Sequence, residues 1–347
     1  MTGLPLSPRR HARLRIIAVG AILALAVACN GDPSGSVSPT PSAADSLGVP
    51  ADTAAFPDSV AADTITMSAA TTSLDDRSAS PGVVFGTVNM DVSLLNSVHT
   101  GSQFGGSLDP SNILSILSAA RAKGARVVIK LCKGKDSYVK NADGTFSLSK
   151  WESLVNRYTS VNLGPYIADG TIVGHYLIDE PQRASRWGGK VIPPSTLEAM
   201  AKYSKQRWPG MTTFVRAGPT WLAGSSVTFT YLDAGWAQYS ANKGDVTKWI
   251  SAEVAAAKRI GLGLAVGLNV LDGGNGSSKI QGYSSGKYVM SANELKTYGS
   301  ALLNQSYSCA FYMWMYDGTY YNRTDNETAM ASLSQMARAH QKTACSQ

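Results

Sequence analysis

From residue 81 onward, short runs of apolar residues alternate with segments of helical spacing. Val83-Val84-Phe85-Gly86-Thr87-Val88 is a β-branched run that predicts a first strand. Ile113–Lys123 has helical spacing, with start signals in Asp109-Pro110-Ser111. Arg126–Leu131 predicts a strand, Lys150–Tyr166 a helix with Trp151, Leu154 and Tyr158 on one face, and Thr171–Ile178 another strand. Ser195–Trp208 predicts a helix stopped by Pro209-Gly210, followed by strands at Thr212–Arg216 and Thr228–Leu232. Asp245–Arg259 is a helix closed by Gly261, and Leu262–Val270 a strongly apolar strand. Ala292–Asn304 predicts a helix, Cys309–Met315 a strand and Glu327–His340 a final helix.

These strands are mostly continuous apolar runs, the pattern of buried parallel strands rather than half-exposed antiparallel ones. An alternating β/α chain of about 260 residues predicts an α/β fold, a single-domain (β/α)8 TIM barrel. Seven strands are visible, and the eighth falls in either 89–108 or 218–230. The alternative is a doubly wound open sheet, but no G-x-G-x-x-G follows the first strand.

The first 80 residues have no plausible core. Arg9, Arg10, Arg13 and Arg15 precede the apolar stretch Ile16–Ala28, which ends in Leu25-Ala26-Val27-Ala28-Cys29. Residues 1–28 therefore read as a signal peptide. Small residues before Cys29 resemble a bacterial lipobox, although Ala26 stands where Leu is usual. That resemblance implies lipidation at Cys29 and a membrane-anchored protein, periplasmic or at the cell surface; without it the chain is simply secreted. Residues 29–80 are rich in Ser, Thr, Ala, Pro and Asp, and predict a disordered linker whose root-mean-square reach is about 40 Å. Residues 81–347 are left to form the barrel.

The barrel segment carries 26 Lys+Arg against 17 Asp+Glu. The charges are spread along it rather than clustered among aromatics, which argues against nucleic acid and leaves an acidic glycan open as a partner. Four histidines in the whole chain, without H-E-x-x-H or paired C-x-x-C, predict no metal and no cofactor.

In a barrel the C-terminal strand ends converge on one mouth. Those ends bring Asn89, Asp91, Lys130, Lys133, Asp179, Glu180, Arg216, Asp233, Trp236, Gln238, Asn269, Asp272, Trp314, Tyr316 and Asp317 into view. Carboxylates to move protons, amides to bind hydroxyls and aromatic rings to stack on pyranose faces suit a sugar site. The sharpest motif is Gly174-His175-Tyr176-Leu177-Ile178-Asp179-Glu180-Pro181, an apolar strand that runs into two acids and a proline. It resembles the Asn-Glu-Pro strand end of clan A (β/α)8 glycoside hydrolases, and more closely an Asp-Glu-Pro variant of glycosidase-like barrels. The resemblance implies Glu180 as proton donor, with Asp179 beside it where the family has Asn. It also implies a Glu nucleophile on the penultimate strand, but that strand ends Asn269-Val270-Leu271-Asp272-Gly273, without Glu. Asp272 is the first candidate for the second carboxylate, with Asp233 and Asp317 behind it. Trp314 resembles the platform under the reacting sugar in such barrels. Trp236, Asn269, Tyr316, Arg216 and Lys130 are further candidates for substrate binding.

The expected function is hydrolysis of a poly- or oligosaccharide by paired carboxylates. The alternatives are a non-catalytic glycan-binding lipoprotein on the same scaffold, or a lyase or esterase on acidic glycans with Tyr316 or His175 as base. Cys309 and Cys345 are candidates to pair, which leaves Cys132 free.

Overall fold

The structure, a computed structural model, describes residues 81–341 and Cys345. The segments expected as signal peptide, lipidated Cys29 and linker lie outside the described residues. Eight parallel strands close into a barrel in chain order: β1 (Val84–Val88), β2 (Gly101–Phe104), β3 (Arg126–Ile129), β4 (Ile172–Asp179), β5 (Thr213–Arg216), β6 (Ala234–Tyr239), β7 (Gly263–Leu268) and β8 (Ser308–Met313). β1 closes on β8 with Val84 opposite Ala310 and Thr87 opposite Met313. The helices between them are α1 (Ile113–Ala122), α2 (Leu148–Asn156), α3 (Gly164–Ala168), α4 (Pro194–Arg207), α5 (Pro219–Leu222), α6 (Val246–Arg259), α7 (Ala292–Leu303), α8 (Gly318–Tyr321) and α9 (Thr324–Ala339). The expected (β/α)8 barrel is the observed fold.

Three elements differ from the sequence reading, each for a local reason. The eighth strand is β2, within 89–108, and its sequence Gly-Ser-Gln-Phe has little apolar signal. Its polar side chains are buried because backbone oxygens receive them: Ser102 Oγ donates to Thr87 O at 2.9 Å, and Gln103 Nε2 to Phe104 O at 2.8 Å. Gly101 is required there, since a Cβ would sit 2.4 Å from Arg126 O and 2.3 Å from a Val84 methyl. Thr228–Leu232 is not a strand. The N–H groups of Thr230, Tyr231 and Leu232 instead donate to the Glu198 carboxylate at 2.8, 2.8 and 3.0 Å, which takes the ladder donors a strand would need. The strand follows at Ala234–Tyr239. The helix expected over 150–166 is two helices, α2 and α3, with Pro165 opening the second.

Packing separates the barrel lumen from the helix shell. Alternate strand residues Val84, Val128, Phe214, Ala265 and Ala310 pack inside with Tyr176, Trp236 and Tyr312. Tyr176 meets Trp236 at 5.7 Å between ring centres, and Trp236 meets Tyr312 at 5.9 Å, so three rings cross the lumen. Neighbouring strand positions face outward and bury against the helices, as Val127, Ile129, Leu177 and Val215 do. His175 belongs to that shell: it is fully buried, stacked on Trp151 and bonded through Nδ1 to Ser204 Oγ at 2.9 Å. Burial pushes its imidazole down to about 3, which removes it as a candidate base. At the opposite end from the mouth, Cys309 and Cys345 form a disulfide, and Cys345 packs on the start of β7 at Gly263. Cys132 is free and buried.

Candidate functional site

The chain bends abruptly where three strands reach the mouth. Asn89 after β1, Lys133 after β3 and Glu180 after β4 have φ of 58°, 65° and 44°. Such left-handed backbone costs a non-glycine residue roughly 1–3 kcal/mol and tends to collect at functional sites. At β4 the turn sends Asp179 and Glu180 into one ion network. Arg216, the last residue of β5, contacts Asp179 at 3.2 Å and Glu180 at 2.9 Å. Arg186, in the loop after β4, contacts Asp179 at 2.7 Å and Glu180 at 3.0 Å, and is forked against Asp136 on its other edge. Arg183 adds a 3.1 Å contact to Glu180, and Tyr176 donates to Asp179 at 2.8 Å.

Burial pushes the Asp179 carboxyl up, but the charges of Arg216, Arg186 and Lys130 outweigh it and hold the group below its ordinary value. Arg216 responds in kind: burial pulls it down, while Asp179, Tyr176 and Glu180 push it above the usual guanidinium value. Tyr176 is raised by burial and by the adjacent Asp179 charge, so its hydroxyl stays a donor.

Two cavities open on this network and share Arg216 and Trp236. The larger, about 310 Å³, is lined by Glu180, Gln182, Thr220, Gln238, Lys243, Glu253 and Asn269 among others. The smaller, about 80 Å³, is lined by Asn89, Gln103, Lys130, Tyr176, Asp179, Arg186 and Trp314 with Gly105, Gly106 and Gly134. Glu180, Asp179, Arg216, Lys130, Asn269, Trp236 and Trp314 are therefore brought together as expected. Trp236 is only 3% exposed, so it forms the floor rather than an open stacking face. Trp314 is partly exposed, meets the Tyr283 ring edge at 6.1 Å, and is joined to Met315 by a cis peptide bond.

Four expected residues lie elsewhere. Asp233 precedes β6 and sits at the base of the barrel, where its carboxylate takes the Thr213 N–H at 2.8 Å and Lys205 at 2.8 Å. The strand begins after Asp233 rather than before it, which reverses its end of the barrel. Asp272 lines neither mouth cavity; it accepts the Ser284 N–H and hydroxyl at 2.9 and 2.6 Å and staples the excursion between β7 and α7. Asp317 caps α8 by accepting the Tyr320 N–H at 2.9 Å and receives the Tyr283 hydroxyl at 2.6 Å. The Tyr316 ring turns away from the mouth to stack on Tyr321, beside His99, in a separate cavity of about 260 Å³.

Sequence reasoning missed Arg186, Asp136, Lys243 and Glu253. Glu253 reads as one polar position on the amphipathic α6, yet it is 4% exposed and accepts the Thr220 N–H at 3.0 Å and hydroxyl at 2.9 Å. Gly218 makes room for it: a Cβ there would meet the Glu253 carboxylate at 2.8 Å, so glycine opens the path to the cavity wall. No group of three or more His, Cys, Asp or Glu side chains among the described residues is arranged to hold a metal ion.

No protein-family model and no curated protein matches the chain. Solved structures do. A GH113 β-1,4-mannanase is similar with a TM-score of 0.50 and 10% identity over 74% of this chain and 99% of that one. A β-glucanase from Saccharophagus degradans is similar with a TM-score of 0.51 and 10% identity over 74% of this chain and 88% of that one. The likeness is to glycosidase barrels. At this identity it is a likeness of fold, and it agrees with the closed eight-stranded barrel.

Proposed function

We propose that the chain is a glycoside hydrolase that works at the barrel mouth, exported and anchored through lipidated Cys29. The observation that carries the reading is the larger cavity, where Glu180 and Glu253 both line a space beside Arg216, Gln238 and Asn269. Glycoside cleavage needs two carboxyl groups flanking one sugar. In this reading Glu180 exchanges a proton with the glycosidic oxygen after the sugar displaces Arg183, whose side chain is 63% exposed. Glu253, oriented by the two Thr220 donors, activates water or attacks the anomeric carbon. Gln238 and Asn269 offer amide groups for hydroxyls, and Trp314 a ring face.

The test is reducing-end release from a panel of poly- and oligosaccharides, followed by E180Q and E253Q. Each substitution removes a proton-transfer or nucleophilic group, so turnover of the folded variant, checked by circular dichroism, should fall at least roughly 100-fold. E180Q keeping more than a tenth of wild-type turnover ends the assignment of Glu180. A second reading, glycan binding without cleavage, draws on two observations: Asn269 stands at the end of β7 where a carboxylate was expected, and Glu180 is gripped by three guanidinium groups. It predicts retention on an immobilised glycan with no product after prolonged incubation.

A further inference from the structure

The ion network at the mouth has one cation too many. Lys130, Arg183, Arg186 and Arg216 face Asp136, Asp179 and Glu180, and the wider cavity adds one of each sign with Lys243 and Glu253. The three arginines are all paired with acids. Lys130 is not: its ammonium has no hydrogen-bond or ion-pair partner among the described residues, yet the residue is only 7% exposed and lines the smaller cavity. The acid whose carboxyl its charge acts on is Asp179, which already pairs with Arg186 and Arg216, so three cations share that one carboxylate.

The surroundings are shaped around this side chain. A Cβ at Gly105 would lie 3.0 Å from Lys130 Cβ, 3.3 Å from its Cδ and 3.0 Å from Gln103 Nε2, so the absent side chain gives the lysine stem its channel. A Cβ at Gly134 would lie 2.8 Å from the Gly106 Cα, so the two loops that wall the cavity meet backbone to backbone. The Lys130 ammonium is 5.9 Å from the Tyr176 ring centre, above the lumen floor. The space in front of it, about 80 Å³, holds two or three waters at ~30 Å³ each, the room of a carboxylate or sulfate group and not of a sugar ring.

We propose that this recess is an oxyanion subsite, and that the glycan taken at the mouth carries a negative group, a uronate carboxylate or a sulfate ester, which Lys130 binds between Arg186 and Arg216. This rests on the carbohydrate reading above and names its substrate class. Asp179 is the one acid that lines the recess, against Lys130, Arg186 and Arg216, so an incoming anion meets a wall with more positive than negative groups.

The test uses matched polymers with the full protein: polygalacturonate against its carboxyl-reduced form, κ-carrageenan against its desulfated form, and neutral mannan and β-glucan, each scored for binding by affinity electrophoresis and for cleavage. The wild type should prefer one anionic polymer over its neutral counterpart by roughly tenfold or more, as expected for loss of a charge-assisted contact. The pair that shows the preference identifies carboxylate or sulfate. K130M should bring that ratio close to one, and K130R should keep most of it. Equal use of anionic and neutral forms by the wild type overturns the subsite and leaves the carbohydrate reading standing; this comparison needs no variant to fold. A folded K130M with an undiminished ratio also overturns it. No binding or cleavage of any polymer overturns both the subsite and the function on which it rests.

Discussion

Asp179→Asn isolates the charge at the centre of the mouth. The two side chains have the same shape, so no cavity is made, and the Tyr176 hydroxyl still finds an oxygen to donate to. What disappears is the negative charge between Arg186 at 2.7 Å and Arg216 at 3.2 Å. The Asp179 side chain is 16% exposed, so its partners cannot simply turn to water. Breaking one side of a buried ion pair costs about 3–5 kcal/mol. Glu180 and Asp136 still hold the guanidinium groups, so the lower end applies, about 3 kcal/mol at pH 7. For a domain of this size that is a drop of about 6–12 °C in Tm.

The pH dependence follows from the direction of the shift. The folded carboxyl sits below its unfolded value, which is about 3.9. Its contribution is therefore fully present above that value and is lost as pH falls through the lower, folded one. The variant lacks the contribution at every pH. Urea unfolding of both proteins should show a gap of about 3 kcal/mol at pH 7 that starts to close near pH 3.9 and narrows further at pH 3. A gap under 1 kcal/mol at pH 7, or one that stays constant down to pH 3, would refute the ion network as a source of stability.

Other perturbations test separate parts of the structure. Cys345→Ser opens a disulfide that spans 36 residues, for which loop entropy gives a loss of about 4 kcal/mol in urea unfolding; a loss below 1 kcal/mol would mean the tail does not secure the barrel. Asp272→Ala should leave glycan turnover within about threefold of wild type while limited trypsin digestion at Lys279 and Lys287 speeds up, because the carboxylate serves the Ser284 staple; a collapse of turnover by the roughly 100-fold expected of a catalytic carboxylate would restore Asp272 to the chemistry. Cys29→Ser should move the exported protein from the membrane fraction to the soluble fraction in a bacterial host with lipoprotein processing, and unchanged membrane association would remove the anchor.

Much of the barrel was legible because its strands are buried on both faces and so carry unbroken apolar runs, as in Val83–Val88 and Leu262–Val270. The failures came where another group took over the role that apolar residues usually play. β2 is polar because Thr87 O and Phe104 O satisfy its side chains, and Thr228–Leu232 is diverted by the Glu198 carboxylate. One displaced strand was enough to move Asp233 from the mouth to the base. The Glu180 end of the site was readable because an apolar strand ending in two acids is unusual on physical grounds. Glu253 and Arg186 were not, since a helix glutamate and a loop arginine look the same in sequence whether they face solvent or a pit. Asp272 and Asp317 carried the composition of catalytic acids, but their carboxylates are spent on Ser284, Tyr283 and Tyr320.

The rings of Tyr176, Trp236 and Tyr312 make the barrel a blind well. Nothing that enters at the rim can pass through, so whatever arrives and whatever departs must use the same door. Three aromatic side chains set the bottom of that well.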